Sequence, residues 1–302
     1  METYPQFPHF KPVELADRDF IREKFWSYQP EISELTFTSF FIWRTYYQFQ
    51  WCLLDDCFVA YCQRHGRFFA TEPVGSGDRP EVVRKILKFL QAEKGEASPT
   101  IERVDRTLAA ELEKAGGFHL EPVRDYFDYL YRTEDLIKLP GRKYHRKRNH
   151  IRQFLKQYRY EYRPVDKESL PGCLDLAARW CRARRCEEDL GLLEEREAVL
   201  ESLKHFEALQ IQGGLILVNQ RVEAFALGEL LNRETAVIHI EKASPELPSL
   251  YAVINQQFAE KAWSKTTWIN REEDLGEENL RKAKESYYPE RLVEKFRVRL
   301  AG

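Results

Sequence analysis

The same order of strand and helix patterns occurs twice along this chain, and this repeat limits the folds open to it more than any other feature. The first half contains strand, strand, helix, strand, helix and strand patterns, at 57–63, 67–73, 79–94, 100–104, 106–116 and 127–132. The second half contains three strand patterns followed by helix, strand, helix and strand, at 215–220, 221–231, 235–243, 248–263, 266–270, 277–288 and 291–300. The halves share this pattern but not their residue identities. We therefore predict an α/β (α+β) chain of two domains, each with a mixed, mostly antiparallel sheet flanked by helices.

The composition is that of a folded protein with two sizeable cores. The chain has 302 residues, of which 43% are hydrophobic and 32% charged. No apolar run approaches the roughly 20 residues that a membrane-spanning helix needs, and residues 1–17 lack the basic and apolar regions of a signal peptide. We expect a cytoplasmic protein, and the oligomeric state is left open.

The six cysteines, at 52, 57, 62, 173, 181 and 186, contain no C-x-x-C pair. We predict reduced thiols that mostly fill the core. A metal site built from the last three cysteines and His205 would need a spacing that matches no common ligand pattern, so no metal is predicted.

Residues 138–159, the basic segment, carry nine Lys or Arg and two His without one Asp or Glu. Within it, Ile151, Phe154, Leu155 and Tyr158 have the spacing of an apolar helix face. The other face is basic, with Arg148, Arg152, Lys156 and Arg159. A packed helix with a positive stripe is suited to a phosphate, a lipid headgroup or an RNA backbone. The alternative is a solvated basic face without a ligand.

The residues predicted to bind an anion lie around the start of this helix: Arg142, Lys143, Arg146, Lys147, Arg148, Asn149 and His150. Pro140 and Gly141 punctuate the same stretch, which we interpret as the joint between the halves. The predicted domains are therefore 1–137 and 138–302, the second opening with the basic helix.

Three segments of the sequence resemble a known family: ELTFTSFFIWR (34–44), KYHRKRNHIRQFLKQY (143–158) and INREEDLGEENLRKAKESYYPERLVEKF (269–296). They closely resemble soluble proteins related to the catalytic C-terminal domain of phosphatidylglycerol lysyltransferases, over most of the chain. The resemblance implies two tandem GNAT-like acyltransferase domains. It also implies a relation to Fem-type enzymes, which move an amino acid from aminoacyl-tRNA onto an amine or hydroxyl. No permanently bound cofactor is expected, acyl-CoA or aminoacyl-tRNA is the expected co-substrate, and tRNA or an anionic phospholipid headgroup is the expected partner.

One loop departs from the GNAT pattern. Enzymes that use acetyl-CoA generally carry a Q/R-x-x-G-x-G/A loop, whose amides bind the pyrophosphate at a helix N-terminus. The equivalent loop here, 242–253, contains no glycine, so a conventional CoA cradle is not expected there. In the first half, Gly75 and Gly77 in VGSGD offer amides to a phosphate. The sequence favours the alternative of an ordinary turn in which Asp78 caps the next helix.

Acyl transfer needs a base, a group that stabilises an oxyanion and an acid for the leaving group. Glu229 ends one predicted strand, and His239 and Glu241 alternate along the next, so we predict that these two face the same side of the sheet. Glu229 or Glu241 is the predicted base and His239 a substrate-binding residue. For either glutamate, the alternative is a solvated residue at the strand edge or a carboxylate paired with a nearby arginine.

The segment after the strand at 266–270 is rich in polar groups. Asn270 and Arg271 combine an amide with a guanidinium, which suits a carboxylate or phosphate, and we predict that they bind substrate. Asp274 and Glu277 are predicted to cap the following helix.

The helix that follows carries Lys284 three and four residues before Tyr287 and Tyr288, which predicts an ammonium beside a phenol. The family resemblance implies that a tyrosine near this helix protonates the leaving group. We predict that Tyr288 is exposed and catalytic, that Tyr287 is partly packed, and that Tyr287 and Lys284 bind substrate.

Together these residues favour an acyltransferase or aminoacyltransferase. It would move an acyl or aminoacyl group from a phosphate-bearing donor to an amine or hydroxyl acceptor. The alternative is a noncatalytic module that binds RNA, nucleotide or anionic lipid through the basic helix.

Overall fold

The computed structural model describes residues 4–301 of the chain. Its strands, β1 to β14 in chain order, are Lys11–Pro12, Gln50–Leu54, Cys57–Arg64, Arg67–Thr71, Ile101–Val104, Phe118–Pro122, Asp128–Arg132, Tyr160–Pro164, Gln212–Val218, Arg221–Leu230, Thr235–Ala243, Trp268–Asn270, Arg291–Val293 and Phe296–Leu300. Its α-helices, α1 to α12, are Arg18–Tyr28, Phe37–Ile42, Arg44–Tyr47, Arg79–Glu93, Arg106–Ala115, Thr133–Lys138, His145–Gln157, Leu170–Arg184, Leu190–Lys204, Phe206–Leu209, Leu250–Trp263 and Glu278–Glu285. Helices α8 and α9 occupy a stretch for which no element was predicted.

The strands form two sheets, with the orders β1-β2-β3-β4-β5-β14-β6 and β13-β7-β12-β11-β10-β9-β8. In the first sheet β4 and β5 are parallel, whereas β3 pairs antiparallel with both β2 and β4. In the second sheet β11 and β12 are parallel, whereas β10 pairs antiparallel with both β9 and β11. These pairings confirm the prediction of mixed, mostly antiparallel sheets flanked by helices.

Each parallel pair is joined by a helix that packs on its own sheet. Helix α4 connects β4 to β5. At its start, the Asp78 side chain accepts a hydrogen bond from the backbone amide of Glu81 at 3.1 Å. The predicted cap is therefore present. Its inner face is apolar and buried, with Val82, Val83, Ile86, Leu87 and Leu90. Helix α11 connects β11 to β12 and buries Val253, Ile254 and Phe258 in the same way.

The glycines before α4 are explained by backbone packing. A Cβ on Gly75 would lie 2.4 Å from the carbonyl oxygen of Asp56, and one on Gly77 would lie 2.1 Å from that of Asp55. Only glycine allows the loop to lie this close to the β2–β3 turn. The glycines therefore need no phosphate ligand to account for them, as the sequence favoured.

The chain divides differently from the predicted boundary between residues 137 and 138. One compact unit comprises the described residues up to Asp128, together with Glu273–Glu278 and those from Leu292 on. The other comprises Tyr129–Glu272 and Asn279–Arg291. The reason is long-range strand pairing: β7 pairs with β12, and β14 pairs with β5 and β6. The basic segment lies inside the second unit and is not the joint.

Helices cover both faces of the second sheet. The Glu241 carboxylate accepts a hydrogen bond from Asn255 of α11, whereas the ammonium of Lys242 lies 3.5 Å from the ring centroid of Trp180 in α8. Neighbouring residues of a strand point to opposite faces, so α11 and α8 cover opposite sides of β11. Glu241 and Lys242 therefore point to opposite faces of the sheet, as the predicted alternation along β11 requires.

The cysteine prediction is correct for four of the six residues. Cys52, Cys57, Cys62 and Cys173 are buried free thiols. Cys181 and Cys186 are joined in a disulfide between the end of α8 and the turn before α9. The prediction of reduced thiols is wrong for this pair, because a chain reversal after α8 brings together two residues that are five apart in sequence. Among residues 4–301, no helix has both the length and the apolar character needed to span a membrane.

Candidate active site in the second unit

A tight turn after β12 directs two neighbouring charged residues to different partners. Asn270 is fully buried, and its side-chain carbonyl accepts a hydrogen bond from the backbone amide of Glu272 at 2.8 Å. Glu272 adopts a left-handed φ of 57°. Arg271 then reaches Glu241, whereas Glu272 reaches His239. Asn270, predicted to bind substrate, thus uses this carbonyl to hold the turn.

Arg271, Glu241 and Asn255 form one hydrogen-bonded group. The Nη2 atom of Arg271 donates to the two carboxylate oxygens of Glu241 at 3.2 and 3.3 Å. The Nδ2 atom of Asn255 donates to Oε2 of the same carboxylate at 3.2 Å. Two buried atoms of this group have no hydrogen-bond partner among residues 4–301, namely Nη1 of Arg271 and Oδ1 of Asn255. Glu241, a predicted base, is therefore paired with a guanidinium.

Tyr287 and Lys147 complete this group, which we call the Arg271 cluster: Lys147, Glu241, Asn255, Arg271 and Tyr287. The ammonium of Lys147 lies 3.8 Å from the ring centroid of Tyr287, and the Arg271 guanidinium carbon lies 5.0 Å from it. Burial, followed by the positive charges of Arg271 and Arg146, lowers the pKa of Lys147 to about 8. Burial raises the pKa of Tyr287, so its phenol stays protonated. With Lys147 protonated, the cluster has two cations and one carboxylate, which favours an anionic ligand.

His239 lies between two carboxylates beside this cluster. Its Nδ1 is 2.8 Å from Oε1 of Glu272, and its Nε2 is 3.0 Å from Oε1 of Glu229. Burial lowers the pKa of His239, but the hydrogen bonds to Glu229 and Glu272 outweigh that effect and raise it to about 9. The imidazolium therefore donates to both glutamates at neutral pH. Glu229, a predicted base, is held by this cation, and His239 serves as a support for the turn.

The charge on His239 predicts how stability depends on pH. Because the folded pKa of about 9 exceeds the reference value of 6.5, the stabilisation is fully present below pH 6.5 and is lost as the pH rises through 9. A shift of this size corresponds to about 3 kcal/mol. Urea unfolding at several pH values should show this loss in the wild type and a flatter profile in His239→Gln. Parallel profiles for the two proteins would contradict the assignment.

The structure separates the two predicted tyrosines. Tyr288 is 46% exposed, as predicted, and its ring contacts Tyr144 edge-on at 5.4 Å, with the Lys143 ammonium at 5.4 Å. Tyr287 is only 6% exposed and is the tyrosine that lies with Arg271. The predicted catalytic role therefore fits Tyr287 better than Tyr288. The helix was predicted to run to Tyr288, but α12 ends at Glu285, so both tyrosines lie beyond its end.

Lys284, predicted to bind substrate, stabilises the backbone of the turn after β12. It is 8% exposed, and its ammonium donates to the backbone carbonyls of Arg271 and of Glu272, the latter at 3.1 Å. Its hydrogen bonds therefore fix the backbone that carries Arg271. A buried lysine paired with carbonyls is not recognisable from sequence, because its partners come from a loop 12 and 13 residues away.

The basic helix is present as α7, with fewer buried residues than predicted. Ile151 and Phe154 are buried, but Leu155 is 49% exposed, and Tyr158 lies beyond the end of the helix. The Nδ1 atom of His150 lies 3.1 Å from Oγ of Ser249, the residue that precedes α11. Helix α7 thus reaches both the start of α11, through His150, and the Arg271 cluster, through Lys147.

The other predicted anion-binding residues have different surroundings. Arg148 donates to the carbonyls of Leu139 and Gly141, the latter at 2.7 Å, and so holds the loop before α7. Lys143 has a 4.0 Å ion pair with Asp135, and Asn149 lies 3.4 Å from the His145 ring. The exposed side chains of Arg142 and Arg146 form no hydrogen bond or ion pair within the described part of the chain.

Asn255 is the cluster residue that the sequence analysis missed. It follows the apolar run LYAVI of α11 and is 5% exposed among buried Val253, Ile254 and Phe258. The available signal was a single side-chain amide on an apolar, buried helix face. Buried amides are normally hydrogen-bonded, so this one indicated a polar partner nearby.

Comparisons with known proteins agree with this architecture. Residues 26–299 match the family described as phosphatidylglycerol lysyltransferase, C-terminal. A crystal structure of a conserved protein of unknown function from Bacteroides thetaiotaomicron is 37% identical, with 99% of this chain and 100% of that chain covered and a TM-score of 0.90.

Two more distant structures share the fold. L-PGS from Bacillus licheniformis is 13% identical, with 99% of this chain and 94% of that chain covered and a TM-score of 0.67. A tandem GNAT protein from the clavulanic acid biosynthesis pathway is 9% identical, with 97% and 98% covered and a TM-score of 0.51. The predicted tandem GNAT-like fold is confirmed. Because the family match covers most of its length, the chain belongs to the family of phosphatidylglycerol lysyltransferase C-terminal domains.

Proposed function

We propose that this protein is an aminoacyltransferase that moves an aminoacyl group from aminoacyl-tRNA to an amine or hydroxyl acceptor. The observation that carries the proposal is the buried Nη1 of Arg271, an unfilled guanidinium N–H in a cluster with excess positive charge. Acyl transfer creates negative charge on the ester carbonyl oxygen, and such a donor stabilises it best where water is excluded. The family match supports the reaction class, and the glycine-free loop at 242–253 favours tRNA over CoA as the carrier.

The cluster supplies a group for each step. Glu241 holds Arg271 through Nη2, which leaves Nη1 for the carbonyl oxygen. Lys147 has a pKa of about 8, and its neutral form accepts the proton of the attacking amine or hydroxyl as the new bond to the carbonyl carbon forms. The resulting ammonium gives the cluster its excess positive charge as the oxyanion develops. The phenol of Tyr287 gives its proton to the ribose oxygen as the ester bond breaks. Arg142 and Arg146 contact donor phosphates.

The direct test uses purified protein, tRNA charged with radiolabelled amino acids and a set of amine and hydroxyl acceptors. We expect loss of the ester-bound label from tRNA and its appearance in an acceptor, with uncharged tRNA as competitor and a boiled sample as control. Salt-sensitive tRNA binding without turnover would favour the noncatalytic module, and neither binding nor transfer would remove the tRNA part of the proposal.

Replacing Tyr287 by phenylalanine should lower kcat about 10²-fold, because the leaving ribose oxygen loses its proton donor. The buried ring, which contacts Lys147 and Arg271, is retained, so KM and thermal stability should change little. Tyr288→Phe is the matched control and should stay within about twofold of wild type. Equal effects of the two substitutions would contradict the assignment.

Neutralising two arginines before and within α7 should weaken tRNA binding. In Arg142→Gln/Arg146→Gln, the slope of log K against log salt should fall by about 2, because two phosphate contacts are removed. Filter binding at several salt concentrations measures this slope. Arg182→Gln/Arg196→Gln makes the same charge change at exposed positions of α8 and α9 and should leave the slope as it is.

A further inference from the structure

The Arg271 cluster leaves one donor and one acceptor unfilled. Most buried polar atoms have a hydrogen-bond partner, and leaving one without costs about 1–3 kcal/mol. Nη1 of Arg271 and Oδ1 of Asn255 are both buried without a hydrogen-bond partner among residues 4–301. Both residues are bound to the same Glu241 carboxylate. A ligand that fills both atoms must offer an acceptor to Nη1 and a donor to Oδ1.

The orientation of the Asn255 amide is fixed by its surroundings. Its NH₂ group donates to Oε2 of Glu241 at 3.2 Å, and exchanging the amide oxygen and nitrogen would place the carbonyl against a carboxylate. Oδ1 is therefore a true acceptor, in a residue that is 5% exposed. A purely phosphate-binding site would not need a buried acceptor, because phosphate offers mainly acceptors of its own.

We propose that Asn255 is a specificity residue that binds the α-amino group of the donor. Its Oδ1 accepts a hydrogen bond from that amine, while Nη1 of Arg271 donates to the carbonyl oxygen of the same aminoacyl group. This inference rests on the proposed function and assigns the two unfilled atoms to the two polar ends of its substrate. In an aminoacyl group the amine and the carbonyl are carried by adjacent carbons, which matches two atoms organised by one carboxylate. An acyl group without the amine leaves Oδ1 buried and unpaired.

The test compares two donors on the same tRNA: the aminoacyl group that the wild type transfers, and the matching acyl group that lacks the α-amine. We expect kcat/KM to be about 10²-fold higher for the aminoacyl donor, because the desamino donor leaves Asn255 unsatisfied. In Asn255→Leu, which keeps the branched shape of the side chain but removes the acceptor, the preference should shrink to within about threefold, mainly through slower transfer of the aminoacyl group.

Gln257→Leu is the control, since Gln257 lies on the same helix and contacts Glu260 instead of Glu241. It should keep the full preference. A wild type that transfers both groups equally well would overturn the role of Asn255 while leaving the transferase intact. Transfer of neither group by the wild type would overturn the proposed function itself. The wild-type comparison needs no variant, so it decides the question even if Asn255→Leu fails to fold.

Discussion

Replacing Lys295 by alanine should lower the free energy of unfolding by about 3–5 kcal/mol, because it leaves buried carboxylates without their cation. Lys295 is fully buried in the first unit, and its ammonium lies 2.6 Å from Asp128 and 2.7 Å from Glu34. Glu273 is a third carboxylate, at 3.6 Å. Asp128 is fully buried too, so bulk solvent does not reach its carboxylate.

The surroundings of Lys295 add a pH dependence to this expectation. Burial, opposed by Lys295, raises the pKa of Glu34 to about 7. Without the lysine, protonation of a carboxylate removes a buried, unpaired negative charge. The loss of stability in Lys295→Ala should therefore be smaller at pH 5 than at pH 8. Urea unfolding at both pH values measures this difference.

Lys88→Ala is the control for Lys295→Ala, because Lys88 is an exposed lysine of α4 in the same unit. Its effect should stay within about 0.5 kcal/mol. A loss below about 1 kcal/mol in Lys295→Ala, or a loss that grows at low pH, would show that this ion cluster does not hold the first unit together.

Replacing Arg271 by lysine should reduce kcat for aminoacyl transfer about 10²- to 10³-fold. The substitution keeps the positive charge. A lysine ammonium, however, cannot hold Glu241 through one nitrogen and present a second, fixed nitrogen to the carbonyl oxygen. The main effect should fall on kcat, because the donated hydrogen bond strengthens as charge develops on that oxygen.

Stability must be measured alongside activity for Arg271→Lys, because Arg271 is also paired with Glu241. We expect the folded protein to remain the major species, since the ion pair can re-form with the lysine. Arg132→Lys is the matched control: Arg132 also pairs with a glutamate, Glu290 at 2.9 Å, but at an exposed position of the same unit. It should leave kcat unchanged. A decrease in kcat of less than about fivefold in Arg271→Lys would show that Arg271 does not stabilise the transition state.

Much of the local structure was determined by the sequence alone. The predicted strand at 235–243 coincides with β11, and the helix predicted at 79–94 coincides with α4 to within one residue. Side-chain periodicity and capping depend only on near neighbours, and both are written directly in the sequence. The same local patterns named Glu241 and Arg271, because polar residues at strand ends and after strands stand out from the apolar pattern around them, whereas Tyr287 was named through the family resemblance.

The tertiary structure decided what depends on residues far apart in the chain. The pairing of β7 with β12, and of β14 with β5 and β6, moved the boundary between the units away from residue 137. The same long-range packing assigned partners: Lys284 to backbone carbonyls, His239 to two glutamates and Asn255 to Glu241. Sequence shows which residues can ionise or donate. Only the packed chain fixes which of them meet, and therefore which polar atoms remain open to a substrate.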